Sequence, residues 1–321
     1  SEKKRQSKIV TAFLERSAFP EEAEKAAAAV LADVRVRGDA AVADCVSRFE
    51  GANLKPGQFR ISQAELNRAD ASVPAHLKRA VRDAYTRVMR FSKASLRSSW
   101  TMKTPRGGST GEFFSPMDRV GVYVPGGTAP LASTSIMTVT LARAAGVKEI
   151  VACTPAGKTG AVNPTLLYAL KLAGATEIYR VGGIQAIGMM AFGTKSCRKV
   201  QKIVGPGNAY VTAAKRQVYG YVGIDQVAGP SEIAVLADGT VSAKWVAADL
   251  LSQAEHGSGW EKSLLVTQSR DFAEEVKREL FAQMDTLSRK EIIQRVVDRD
   301  GILFVVTPSL SEGLELVNRF A

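Results

Sequence analysis

The sequence predicts an α/β protein built on parallel sheets behind a helical N-terminal region, and three observations carry that expectation. From Val120 onward, short β-branched runs alternate with helical stretches, the pattern of strand–crossover–strand units. Three of the intervening helical stretches are followed closely by glycine, at Gly146, Gly174 and Gly193, where a helix commonly ends in a left-handed residue. The first hundred residues instead hold a helical apolar period with no strand-like alternation.

Taken in order, residues 1–50 read as helix, with Ala28, Val30, Leu31, Val34 and Val36 forming an apolar stripe that Arg37-Gly38-Asp39 interrupts. A further helical stretch is expected from about residue 49, and residues 66–97 continue as one or two long helices, with Leu77, Val81, Tyr85, Val88 and Phe91 at helical spacing. Residues 100–118, punctuated by Gly107, Gly108, Gly111 and Pro116, read as a loop or ribbon. Strands are then expected at 120–124, 149–153, 177–181 and 200–204, with helices at 133–145, 164–173, 184–192 and 208–219, which makes one doubly wound domain. After Gly229-Pro230 the alternation repeats, with strands at 232–237, 262–267 and 302–306 and helices at 241–256, 271–284 and on either side of the last strand. A second sheet follows from that repeat.

Composition narrows the function classes. The chain has 321 residues, 45% of them hydrophobic and 23% charged, enough for two domains of ordinary size. It holds no apolar run long enough to span a bilayer and no apolar core behind Ser1-Glu2-Lys3-Lys4-Arg5, so a cytoplasmic location is expected. Cys45, Cys153 and Cys197 lie far apart, which suits reduced thiols and excludes a cage of cysteines around a metal. The net charge of +11 invites an anionic partner, but the basic residues are dispersed along helices without interleaved aromatics, so a solvated face is expected and no nucleic-acid partner.

The candidate chemistry sits in two places. Four glycine-rich segments follow expected strands: Pro125-Gly126-Gly127, Gly182-Gly183-Ile184-Gln185, Gly205-Pro206-Gly207-Asn208 and Gly229-Pro230-Ser231. In open α/β sheets ligands bind outside the carboxyl ends of strands, and glycine there lets backbone N–H groups approach a phosphate; each segment is equally readable as a tight turn. Gly205-Pro206-Gly207 opens like a dinucleotide fingerprint with Asp225 about twenty residues on, yet Tyr210 stands where the third glycine belongs. The second place is the helix running to Gln253-Ala254-Glu255-His256-Gly257. Gln253 and His256, three residues apart, share one helical face and suit a common ion or ligand, while a histidine before a helix-ending glycine equally suits the helix dipole.

These segments together resemble the histidinol dehydrogenase family. The resemblance rests on Val120 through Gly127, Val181-Gly182-Gly183-Ile184-Gln185-Ala186-Ile187, Gly205-Pro206-Gly207-Asn208, Ile224-Asp225 with Ala228-Gly229-Pro230-Ser231-Glu232, and Asp249 through His256. Arg37-Gly38-Asp39-Ala40 and Arg48-Phe49-Glu50-Gly51 are similar to the family's helical start. The resemblance implies two incomplete Rossmann-like doubly wound domains with an N-terminal helical region. Residues 1–119 would pack with 232–321 as the first α/β domain, and 120–231 would form an inserted NAD-binding domain. It also implies a homodimer that uses NAD and Zn2+ on a small amino alcohol. Carried over by position, Tyr123, Gln185 and Asn208 would touch the dinucleotide, Ser231, Gln253 and His256 the substrate, and Gln253 and His256 the zinc.

Two departures keep alternatives open. The family's Phe-His-x-x-Gln is here Phe91-Ser92-Lys93-Ala94-Ser95, which leaves room for a paralogous dehydrogenase of another small polyol or sulfonate. The family's Glu-His catalytic pair, a zinc-binding Asp and a last zinc-binding His fall further along than Ala321. The resemblance therefore places no catalytic residue within 1–321, and a truncated, inactive binding protein is the second alternative to a zinc- and NAD-dependent dehydrogenase.

Overall fold

The periodic apolar run of the first fifty residues is not one helix. In a computed structural model that describes residues 2–16, 20–126, 131–230, 232–256 and 259–320, it divides into α1 (Glu2–Glu15), α2 (Glu21–Arg37) and α3 (Asp39–Cys45), the last running into a π-helical turn at Val46–Glu50. The break between α2 and α3 falls where Arg37-Gly38-Asp39 interrupts the stripe, and Gly38 at φ 58° and Gly51 at φ 72° supply the left-handed backbone that ends α2 and the π-helical turn. Glu21, Glu22 and Glu24 in the first turn of α2 and Arg35 and Arg37 in its last suit the helix dipole.

Next come α4 (Gln63–Ser72), opened by a Ser62/Glu65 capping box, and α5 (Ala75–Ala94). The expected ribbon is an antiparallel pair, β1 (Trp100–Lys103) with β2 (Ser109–Glu112), every residue of which is exposed. Then β3 (Arg119–Tyr123), α6 (Ala132–Ala144), β4 (Glu149–Cys153), α7 (Pro164–Ala173), β5 (Glu177–Tyr179), α8 (Gly183–Phe192), β6 (Lys202–Val204), α9 (Ala209–Val218) and a two-residue edge strand β7 (Gly223–Ile224) alternate. All neighbouring pairs are parallel, in the order β5-β4-β3-β6-β7. Strand order reverses between β3 and β6, the switch point at which a doubly wound sheet opens a crevice. On one face Ala27, Leu31 and Val34 of α2 share a core with Ile187, Met190 and Val211 of α8 and α9. On the other, Ala69 and Val81 of α4 and α5 join Ile136, Val139, Leu166 and Leu170 of α6 and α7.

A separate unit is formed by residues 1–20 with 229–321. In it β8 (Glu232–Ala237), α10 (Ala243–Ala254), β9 (Lys262–Thr267), α11 (Arg270–Met284), α12 (Lys290–Asp298), β10 (Ile302–Val306) and α13 (Leu310–Phe320) build a three-stranded parallel sheet in the order β10-β9-β8. The central strand β9 is buried throughout and alternates between two cores. Leu265 joins α10, α11 and α12, while Leu264 and Val266 meet Phe13 of α1 and Leu316 of α13.

One expectation about organisation is corrected. Residues 21–119 belong to the compact unit 21–228 with the five-stranded sheet, and only residues 1–20 join 229–321. The physical reason is which surface each apolar stripe finds: those of α2, α4 and α5 are buried on the helices flanking that sheet. Among the described residues, no helix is long and apolar enough to cross a membrane. Cys45, Cys153 and Cys197 are free and buried, as their spacing suggested, and burial raises the pKa of all three thiols.

Candidate functional site

The carboxyl ends of the five-stranded sheet bring Tyr123, Gln185 and Asn208 to one end of the 21–228 unit, from the end of β3, the first turn of α8 and the cap of α9. Tyr123 closes β3 and is 4% exposed. Its hydroxyl accepts from Gly183 N at 3.1 Å, and burial raises its pKa. Gln185, 1% exposed in the first turn of α8, donates through Nε2 to Glu50 Oε1 at 3.0 Å. Asn208 is exposed and caps α9, its side chain accepting from Val211 N at 3.1 Å. Two of the three expected dinucleotide contacts thus build the loops from within, and only Asn208 faces solvent.

The glycines of these loops serve close backbone approach. A Cβ on Gly205 would stand 2.2 Å from the Tyr123 carbonyl oxygen, which locks the loops after β3 and β6 together across the switch point. Cβ atoms on Gly126 and Gly182 would fall 2.3 and 2.5 Å from Pro155, so the loops after β3 and β5 clasp the loop after β4. Beneath Gly205, the buried Lys215 donates to the Gly205 carbonyl at 2.8 Å and pairs with Asp225, whose other oxygen accepts Gly205 N at 2.8 Å. Burial alone would raise the Asp225 carboxyl, but the hydrogen bonds from Lys215, Gly205 and Gln226 prevail and hold it below its ordinary value. Asp225, the acid at fingerprint spacing, therefore supports a loop.

Glu50 gave no signal in the sequence as a site residue. It ends the π-helical turn, and its carboxylate accepts from Gly182 N at 2.9 Å, Ala156 N at 2.8 Å and Gln185. It thereby supplies the negative charge that the N-terminus of α8 favours. Burial pushes its pKa upward against the opposing pull of those three bonds. Its partners lie more than a hundred residues away in sequence, which no local pattern reports.

In the other unit α10 ends at Ala254, two residues short of the expected end. His256 lies in the turn that follows, its N–H reaching the Gln253 carbonyl at 3.3 Å. Gln253 is half-buried and His256 exposed. The imidazole nitrogen and amide oxygen are donors that zinc accepts, and a catalytic zinc takes three protein ligands. Among the described residues no cluster of three or more His, Cys, Asp or Glu that could hold a metal is present, and Gln253 and His256 by themselves fall one short of the three protein ligands of a catalytic zinc. Ser231 lies outside the described residues, as do Gly127 and Gly257.

One consequence is local and measurable. Asn208→Ala removes the α9 cap and is expected to lower stability by about 1 kcal/mol. Chemical denaturation reads this as a lower midpoint with unchanged slope, and an unchanged midpoint contradicts the capping role.

A doubly wound parallel sheet whose carboxyl-end loops clasp one another around the switch point between β3 and β6 defines the Rossmann-like class of α/β proteins. Within that class the sequence comparisons are specific. The family model for histidinol dehydrogenase matches residues 15–321. A histidinol dehydrogenase from Heliobacterium mobile is 44% identical over 294 residues, covering 92% of this chain and 68% of the relative. One from Geobacillus kaustophilus is 43% identical over 301 residues, covering 94% and 70%. The crystal structure of histidinol dehydrogenase from Elizabethkingia anophelis aligns with a TM-score of 0.84 at 36% identity, covering 92% of this chain and 68% of that one. The chain belongs to the histidinol dehydrogenase family, a family of oxidoreductases.

Proposed function

We propose that the protein oxidises L-histidinol through the aldehyde to the acid, in histidine biosynthesis, with NAD and zinc. The observation that carries the reading is the family match from residue 15 to 321, which includes the segments holding Tyr123, Gln185, Asn208, Gln253 and His256. NAD, when bound, supplies the hydride acceptor, and zinc, when bound, orients the amine and imidazole of the substrate. The chain's own residues bind and position. Asn208 presents its amide beside the N–H groups that open α9, where a pyrophosphate is favoured. Tyr123 and Gln185 fix the Gly182-Gly183 turn, and Gln253 and His256 offer the amide oxygen and ring nitrogen to the metal and substrate. Ser231 completes the substrate contacts in this reading.

The exposed β1–β2 ribbon supports the homodimer that belongs to this proposal, because a two-stranded ribbon open on both faces is marginal alone and gains by packing on a partner. Three unpaired buried thiols suit the cytoplasm. A paralogue acting on another small polyol or sulfonate is favoured by one observation. Ser92, where the family has histidine, is 1% exposed and donates to the Val88 carbonyl of its own helix at 2.7 Å.

Calorimetry decides between them. L-histidinol titrated into the zinc-supplemented protein should bind, and His256→Ala should weaken that binding at least about tenfold, since even residues behind a metal ligand have effects of that size. Equal binding to wild type and variant contradicts the assignment of His256, and preference for a polyol or sulfonate favours the paralogue.

A further inference from the structure

A cleft of 530 Å³ opens at the carboxyl ends of β3 and β4, lined among others by Phe49, Glu50, Pro125, Thr154, Ala156 and Lys158. In a doubly wound sheet the adenosine ribose of a dinucleotide rests near the end of the second strand, where NAD-binding proteins place an Asp or Glu against the ribose 2′-hydroxyl. Here β4 is the second strand of the sheet, and residues 154–163 that follow it contain no acid. Asp225 is held by Lys215 and the Gly205 N–H in the loop after β7. Among the described residues lining the cleft, the one carboxylate is Glu50.

Its hydrogen bonds are unevenly divided. Oε1 accepts from Gly182 N and Gln185 Nε2, whereas Oε2 accepts from Ala156 N alone. A carboxylate oxygen takes two donors, so Oε2 retains room for one more. Thr154, on the same lining, is wholly buried, and its hydroxyl has no hydrogen-bond partner among the described residues. A buried hydroxyl without a partner is costly, and a ligand hydroxyl would satisfy it. Lys158 is exposed on the same lining.

We propose that Glu50 reads the adenosine ribose of the dinucleotide and sets a preference for NAD over NADP, with Thr154 as the second hydroxyl partner. The proposal rests on the reading of the 21–228 unit as dinucleotide-binding. A 2′-phosphate would meet a fixed carboxylate at close range, and among the described residues Lys158 is the one cation on the lining to offset that repulsion.

The test uses NAD, 2′-deoxy-NAD and NADP with the whole chain, read by calorimetry. Wild type should bind NAD about tenfold or more tighter than either analogue, the size expected when a hydrogen bond to a charged group is lost. Glu50→Gln should bring NADP within about threefold of NAD by removing the like charge. Lys158→Ala, an exposed change, should widen the gap. A purely structural Glu50 would weaken NAD and NADP together at a constant ratio, and that outcome overturns the proposal. Should Glu50→Gln fail to fold, wild type decides alone: equal affinity for NAD and 2′-deoxy-NAD overturns it. Absence of NAD binding to wild type removes the dinucleotide reading itself, and this proposal with it.

Discussion

Arg119→Met is expected to destabilise the 21–228 unit by about 3 kcal/mol, the lower end for a broken buried pair, because it leaves the largely buried Glu177 without its cation while Glu149, 39% exposed, keeps Arg198. Arg119, Glu149 and Glu177 are the first residues of β3, β4 and β5, so the cluster ties the amino ends of three parallel strands together. The guanidinium donates to Glu149 at 2.5 Å and to both oxygens of Glu177 at 2.7 and 3.0 Å. Tyr179 donates to Glu177 as well, at 2.7 Å. The bond from Arg119, ahead of the opposing effect of burial, lowers the Glu177 pKa from 4.5 to about 2. A depressed carboxyl stabilises the fold above its unfolded pKa and loses that contribution as pH falls through its folded one. Wild type should therefore lose stability between about pH 4.5 and 2 through this group, and Arg119→Met should show a flatter profile there. Denaturation midpoints across that range check both points. A variant as stable as wild type at pH 7, with the same acid limb, contradicts the account.

The second large effect is expected at Lys215. Lys215→Met should cost about 3 kcal/mol, the lower end for a broken buried pair, because Asp225 keeps 31% of its side-chain surface exposed and can be partly rehydrated. The Gly205 carbonyl also loses its donor, so the loop that carries Asn208 should loosen and NAD should bind less tightly. Replacing both members, as Lys215→Met with Asp225→Leu, should recover much of the stability without restoring NAD affinity, since the Gly205 carbonyl still lacks its donor and the Gly205 N–H now loses its acceptor as well. Recovery of both would show that the pair has no part in shaping the loop.

Much of the fold was legible because buried parallel strands leave a plain trace. Residues 149–153, 232–237, 262–267 and 302–306 are β-branched or apolar runs between turn residues, and the strands fall where those runs do. The two-residue β7 is too short to leave any pattern. The N-terminal helices show the limit of periodicity. The stripe of α2 announces a buried face without saying what covers it, and the answer, α8 and α9, is a tertiary fact. At the site, the glycine loops were visible, but their reason was not. Gly126, Gly182 and Gly205 are required by the neighbouring loops they touch, at distances that no spacing encodes. Glu50 shows this most plainly, since the N–H groups it holds at Ala156 and Gly182 are 106 and 132 residues away. The shared helical face expected of Gln253 and His256 does not form as such, because α10 ends at Ala254 and the histidine sits in the turn that follows.

The proposed binding of NAD by the carboxyl-end loops of the five-stranded sheet is tested most directly by amide hydrogen exchange with NAD titrated into the chain. The account predicts saturable protection of residues 182–185 and 205–208, weakened about fivefold in apparent affinity by Asn208→Ala as a hydrogen bond is lost. Residues 262–267 should exchange as before. No saturable protection, or protection confined to residues 232–306, would contradict it.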